Sequence, residues 1–118
     1  MNLDHWTLSP LRTLLKLSRR RRQSGPRSAE VDALIGMAHR FREQRAFSRA
    51  AFAFGELVDL LPTRTEFRVQ YGNMLKDAGR LAEAESVYRA AIAQAPDDSD
   101  IHLQLGHALK LRGELEAA

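Results

Sequence analysis

Leu57-Val58-Asp59-Leu60-Leu61-Pro62 and Ala91-Ile92-Ala93-Gln94-Ala95-Pro96 are two apolar runs, each closed by a proline, and the prolines stand 34 residues apart. The same step places Gly72 on Gly106, Leu75 on Leu109, Gly79 on Gly113, Leu81 on Leu115 and Ala84 on Ala118. Taken backwards, it puts Ala38 under Gly72, Phe41 under Leu75, Phe47 under Leu81, Ala50 under Ala84, Phe54 under Tyr88 and Leu57 under Ala91. Chance does not produce this density of matches at one period, so the chain is built from an internal repeat.

Each unit reads as two antiparallel helices. In the middle one, Phe67, Tyr71, Met74, Leu75 and Ala78 recur at helical spacing. Asp77-Ala78-Gly79-Arg80 then supplies a helix C-terminus, because Gly79 is free to adopt the left-handed conformation that ends a helix. A second helix continues through Leu81, Ala84, Val87, Tyr88, Ala91 and Ile92 until Pro96 stops it. The small residues Gly72, Ala84 and Ala91 mark close helix approach, and Tyr88 and Leu75 fill the space between. The expected fold class is all-α, a solenoid of antiparallel helix pairs.

These positions resemble the tetratricopeptide repeat. The unit 65–98 matches that family with Tyr71, Gly72, Leu75, Ala84, Tyr88, Ala91 and Pro96, and departs from it at the fourth position, where Arg68 replaces the usual aromatic. The unit 31–64 matches with Leu34, Met37, Ala38, Phe41, Ala50, Phe54 and Pro62, with Leu57 in place of a small residue. A third unit, 99–118, matches with Leu105, Gly106, Leu109 and Ala118 and is truncated, giving about two and a half repeats. The resemblance implies a non-catalytic protein–protein interaction module that binds a polypeptide segment on a concave face lined by the first helices. It places Ile35, Gly36, His39 and Arg42, then Val69, Gln70, Asn73 and Lys76, then Leu103, Gln104, His107 and Lys110 on that face. The recurrent Gln-x-x-Asn/His-x-x-Lys suits hydrogen bonding to an extended peptide. The lysine and asparagine pattern that clamps chaperone tails in some members of the family is not matched, since Val69 and Leu103 occupy the lysine position. The strings from Tyr71 to Arg80 and from Leu105 to Lys110 are also similar to repeats that precede bacterial glycosyltransferase domains, which offers an alternative: an N-terminal region that presents acceptor or mediates assembly.

The net charge of +3 conceals an asymmetry. Residues 1–28 hold seven Lys/Arg against Asp4 alone, so the positive charge belongs to an N-terminal arm and the remainder is mildly acidic. Ser9-Pro10 is a helix start. Around it Leu3, Leu8, Leu11, Leu14, Leu15 and Leu17 take one side of a wheel, before the run Arg19-Arg20-Arg21-Arg22 and the linker Gln23 to Arg27. This amphipathic helix either caps the first repeat or lies on an anionic membrane, making the chain a peripheral membrane adaptor. One basic run without interleaved aromatics gives no reason to expect nucleic acid.

The chain has no cysteine and no run near the roughly 20 apolar residues that span a bilayer. It also lacks a basic start followed by a small-residue cleavage site. The expected location is cytoplasmic, with the inner membrane face as a peripheral possibility. No catalytic, metal or cofactor site is expected: His102 and His107 are five apart and off a common helical face. Phosphate loops are missing, and the macrodipole accounts for the carboxylates at helix starts. At the C-terminal end, a second helix of the third unit should be starting near Glu116, and Leu105, Leu109 and Leu115 lack its cover. Either the sequence is a fragment of a longer protein, the favoured reading, with room for a fused enzymatic domain beyond residue 118, or another chain covers this face. For the chain as it stands, self-association through these leucines is expected, with a dimer favoured among homo-oligomers.

Overall fold

A computed structural model describes residues 27–117, and among these it contains five α-helices and no strand. They are α1 (Arg27–Glu43), α2 (Phe47–Leu60), α3 (Thr65–Asp77), α4 (Leu81–Gln94) and α5 (Ser99–Ala117). The arm, with Leu8, Leu11, Leu15 and Arg19 to Arg22, lies outside the described residues. The chain divides into residues 1–33 and 34–118. Of the first unit the described part is the opening of α1, where Arg27 and Ser28, read from sequence as linker and arm, are already helical. No helix breaker separates them from Glu30, an acid in the first turn where the helix macrodipole favours it.

From Leu34 onward the repeat is visible in the turns. Helix α3 ends with Arg80 N–H donating to Leu75 O at 2.9 Å and Gly79 N–H to Lys76 O at 3.0 Å. This pair of reversed bonds requires a left-handed residue between them, and Gly79 supplies it at φ 80°. One repeat earlier the same two bonds close α1, from Ala46 to Phe41 and from Arg45 to Arg42. Arg45 occupies glycine's place there, at φ 59°. Its guanidinium lies 5.3 Å from the centre of the Phe47 ring, an attraction that offsets part of the backbone strain.

The third unit departs from this plan. Gly113, the counterpart of Gly79, does not turn, and α5 runs through it as one helix of 19 residues. The second helix expected to start near Glu116 is therefore not seen among the described residues. After Gly79 the chain folds back because α4 then buries Leu81, Ala84, Tyr88 and Ala91. No described segment beyond Gly113 gains such cover. Glycine costs only about 1 kcal/mol inside a helix, less than the hydrogen bonds of a final turn.

Helix α3 packs on both α2 and α4, and α4 packs on α5. Tyr88, Phe54, Leu57, Leu75 and Ile101 are the largest fully buried side chains, with Ala38, Ala50, Ala84 and Ala91 also inaccessible. The closest approach is at Gly72, where a Cβ would stand 2.7 Å from Cε1 of Tyr88. At the fourth repeat position, Arg68 and its counterpart His102 each reach the carbonyl of the proline that closes the preceding unit. Arg68 Nη1 donates to Pro62 O at 2.9 Å, and His102 Nε2 meets Pro96 O at 2.8 Å. A carbonyl can only accept, so His102 carries its proton on Nε2. Asp98 caps α5 by accepting from the Asp100 and Ile101 amides.

Candidate binding face of the first helices

Two hydrogen bonds show that α1, α3 and α5 share a face. Arg42 Nη1 donates to Gln70 Oε1 at 3.0 Å, joining α1 to α3. Lys76 Nζ donates to Gln104 Oε1 at 2.5 Å, joining α3 to α5. Both pairs are 28 residues apart, so each is the same rung displaced by one repeat: a cation late in one first helix reaches a glutamine early in the next. The sequence reading treats these four residues as contacts for a partner. The structure has them bonded to one another, and cationic donors fix each glutamine with its oxygen turned to the cation.

The central position of the face differs between repeats. Asn73 accepts from the Tyr88 hydroxyl through Oδ1 at 2.6 Å. Burial pushes the Tyr88 phenol well above its ordinary range, with the charge of Asp77 adding to the effect, so the hydroxyl stays a donor. In the preceding repeat Phe54 replaces Tyr88 and has no hydroxyl, and His39 takes the place of Asn73. The His39 ring sits edge-on to Phe54, with centroids 5.7 Å apart, and its buried Nδ1 has no hydrogen-bond partner. His107, the third counterpart, is exposed, as are Leu103 and Lys110. Val69 is half-buried and lines a cleft of about 380 Å³ with Gln70, Glu66, Asp98, Asp100 and Ile101, between the N-terminal halves of α3 and α5.

Of the three leucines expected to seek a partner, Leu105 is only 8% exposed, while Leu109 and Leu115 are 41% and 67% exposed. Helix α5 therefore already buries one side of itself. Glu85 on α4 reinforces that contact by bridging Arg89 and, across the helix boundary, Arg112 at 2.7 Å. The side chain of Arg89, followed by that of Arg112, holds the Glu85 carboxyl below the usual carboxylate range. No group of three or more His, Cys, Asp or Glu among the described residues could hold a metal, and no described helix is long and apolar enough to cross a membrane.

The rungs, the Tyr88–Asn73 bond and the Arg68 and His102 contacts escape a reading of the sequence, because polar residues on a helix look alike whether they meet solvent or each other. The repeat itself was the signal that could have found the rungs and the two contacts to proline carbonyls, because those pairs recur at the 34-residue step. The Tyr88–Asn73 pair has Phe54 and His39 as its counterparts and does not recur. Compared with known proteins, residues 65–108 match the family model of the tetratricopeptide repeat. No curated protein matches the chain. That match agrees with the helix pairs, their closing turns and the close approach of Tyr88 to Gly72: residues 65–108 carry a tetratricopeptide repeat.

Proposed function

We propose that the face carried by α1, α3 and α5 binds an extended segment of another polypeptide. Tetratricopeptide repeats act as protein–protein interaction modules, and this reading adds a binding mode. The observation behind it is that the amide oxygens of Gln70, Asn73 and Gln104 are each already engaged, by Arg42, Tyr88 and Lys76. What each amide still has to offer is its NH2 group. A row of pre-oriented N–H donors selects acceptors, and the carbonyl oxygens of an extended chain are the commonest acceptors a protein can present. Fixing the amides beforehand also lowers the side-chain entropy lost on binding.

Panning a library of unstructured peptides on the chain, then titrating a selected peptide against variants, tests this. Replacing Gln70 and Gln104 together by alanine should weaken the peptide about tenfold, the loss expected when a few well-placed donors are removed. Asn73 is a poorer choice for the test, because its removal also strips the Tyr88 hydroxyl of its acceptor. Unchanged affinity in the double variant, with helical circular dichroism retained, would remove the amides from the site.

A further inference from the structure

Phe52 is the most exposed large apolar residue among the described residues, at 70%. It lines a cavity of about 300 Å³ with Gly55, Glu56 and Asp59 of α2, Tyr71 of α3 and Arg80 just before α4. Phe52, Glu56 and Asp59 follow one another by four and three residues, so they stand on one stripe of α2. Tyr71 packs directly on Gly55, where a Cβ would lie 3.2 Å from Cζ of the ring. Neither carboxylate has a hydrogen bond or an ion pair among the described residues. Helix stability does not account for these acids. They lie in the C-terminal half of α2, where the macrodipole disfavours negative charge, and the last turn of α2 holds no basic residue. Arg80, the cation among the lining residues, is already held by Glu83 through two bonds of 2.9 and 2.7 Å.

One repeat later the chain meets an acid with arginines of its own. There Arg89 and Arg112 both reach Glu85, at 3.0 and 2.7 Å. The 34-residue step puts Gly55 under Arg89 and Ala78 under Arg112, so neither guanidinium has a counterpart beside Phe52. We infer that this cavity takes an arginine side chain from a basic segment of a partner protein. The planar guanidinium stacks on the Phe52 ring and donates to Glu56 and Asp59. A ring face beside two carboxylates matches that group in shape and in sign, whereas a lysine ammonium has no plane to stack. The surface is separate from the amide row, since Gln70, Asn73 and Gln104 do not line it.

The probe is the capped pentapeptide acetyl-Ala-Ala-Arg-Ala-Ala-amide, titrated into the isotope-labelled 118-residue chain and followed by NMR, with lysine and alanine versions as matched peptides. Saturable shifts are expected at the amides of Phe52, Gly55, Glu56, Asp59 and Tyr71, with a Kd of about 1 mM for so small a contact. The lysine peptide should bind several-fold more weakly. Phe52→Ala should weaken the arginine peptide about fivefold. Glu56→Gln combined with Asp59→Asn should weaken it at least about tenfold. These side chains are exposed or half-buried, so circular dichroism should be unchanged in both variants. Several results would overturn the inference. No saturable shift up to about 10 mM would remove the site. Binding indifferent to Phe52→Ala, or matched by the lysine or alanine peptide, would remove guanidinium recognition. Shifts centred on Gln70 and Gln104 would place the arginine on the amide row instead. A chain that sediments as a dimer and is dissociated by Phe52→Ala would make this surface a self-interface.

Discussion

Gly72→Ala and Gly106→Ala are the same substitution at the same repeat position, and the structure gives them opposite signs. Both replace glycine within a helix, a gain of about 1 kcal/mol from intrinsic propensity. At Gly106 nothing opposes the gain, since the new Cβ has open space around it. At Gly72 the Cβ would lie 2.7, 2.9 and 3.1 Å from Cε1, Cδ1 and Cζ of Tyr88. That ring is fully buried and its hydroxyl is held by Asn73, so it cannot withdraw without surrendering the hydrogen bond. Overpacking of this kind costs about 1–3 kcal/mol, and the strained hydrogen bond adds about 1 kcal/mol. The net expectation is a destabilisation of about 1–3 kcal/mol for Gly72→Ala and a stabilisation of about 0.5–1 kcal/mol for Gly106→Ala. Urea unfolding followed by circular dichroism reads the difference. With a slope of roughly 1–1.5 kcal/mol per molar for a chain this small, the two midpoints should separate by at least about 1 M, on opposite sides of the parent. Midpoints that move together would refute the claim that the ring leaves no room for a methyl group.

Three further outcomes are expected. Arg45→Gly should stabilise the chain by about 0.5–1 kcal/mol in urea, because it relieves a left-handed non-glycine residue costing about 1–2 kcal/mol and gives up a cation–π contact worth about half that. Tyr88→Phe should cost about 1 kcal/mol by leaving Asn73 without its donor. It should also make stability fall less steeply in base. Above the ordinary phenol value of 10.0 the unfolded chain releases a proton that the native chain keeps, so Tyr88's contribution is intact below that pH and is lost as pH rises. Glu85 has the reverse sign: its lowered value means that its contribution is present at neutral pH and is lost as pH falls through the carboxylate range. Acid titration of Arg112→Gln should accordingly show a shallower loss than the parent, whereas an identical acid limb would show that the bridge between α4 and α5 contributes nothing.

The helix pairs could be read from the sequence because their cause is local and repeated. Pro62 and Pro96 end helices wherever they stand, and the Gly72, Ala84, Tyr88 and Ala91 set has one efficient way to pack. The left-handed conformation of Gly79 was legible for the same reason, whereas Arg45 hid its equivalent one behind a side chain that rarely adopts it. Gly113 misled in the other direction: a glycine permits a turn, but the turn is made only where the next segment gains burial by folding back. The face of the first helices was legible as a set of positions and not as a set of bonds. His39, Asn73 and His107 share one repeat position and have three different fates, because the residue beneath differs: a phenyl ring under His39, a phenol under Asn73 and no described side chain under His107.

The two rungs between successive first helices carry a consequence for how such an array can change length. Each donor and its acceptor belong to different repeats, yet their spacing of 28 is the same for both rungs. Excising any 34 residues between Arg42 and Gln104, for instance 43–76, would delete Lys76 and Gln70 together and bring Gln104 to the distance at which Arg42 now finds Gln70. Inserting a whole repeat works equally well in reverse. Duplication and loss of repeats therefore conserve the pairing automatically, and only a deletion of some other length would strand a cation without its amide.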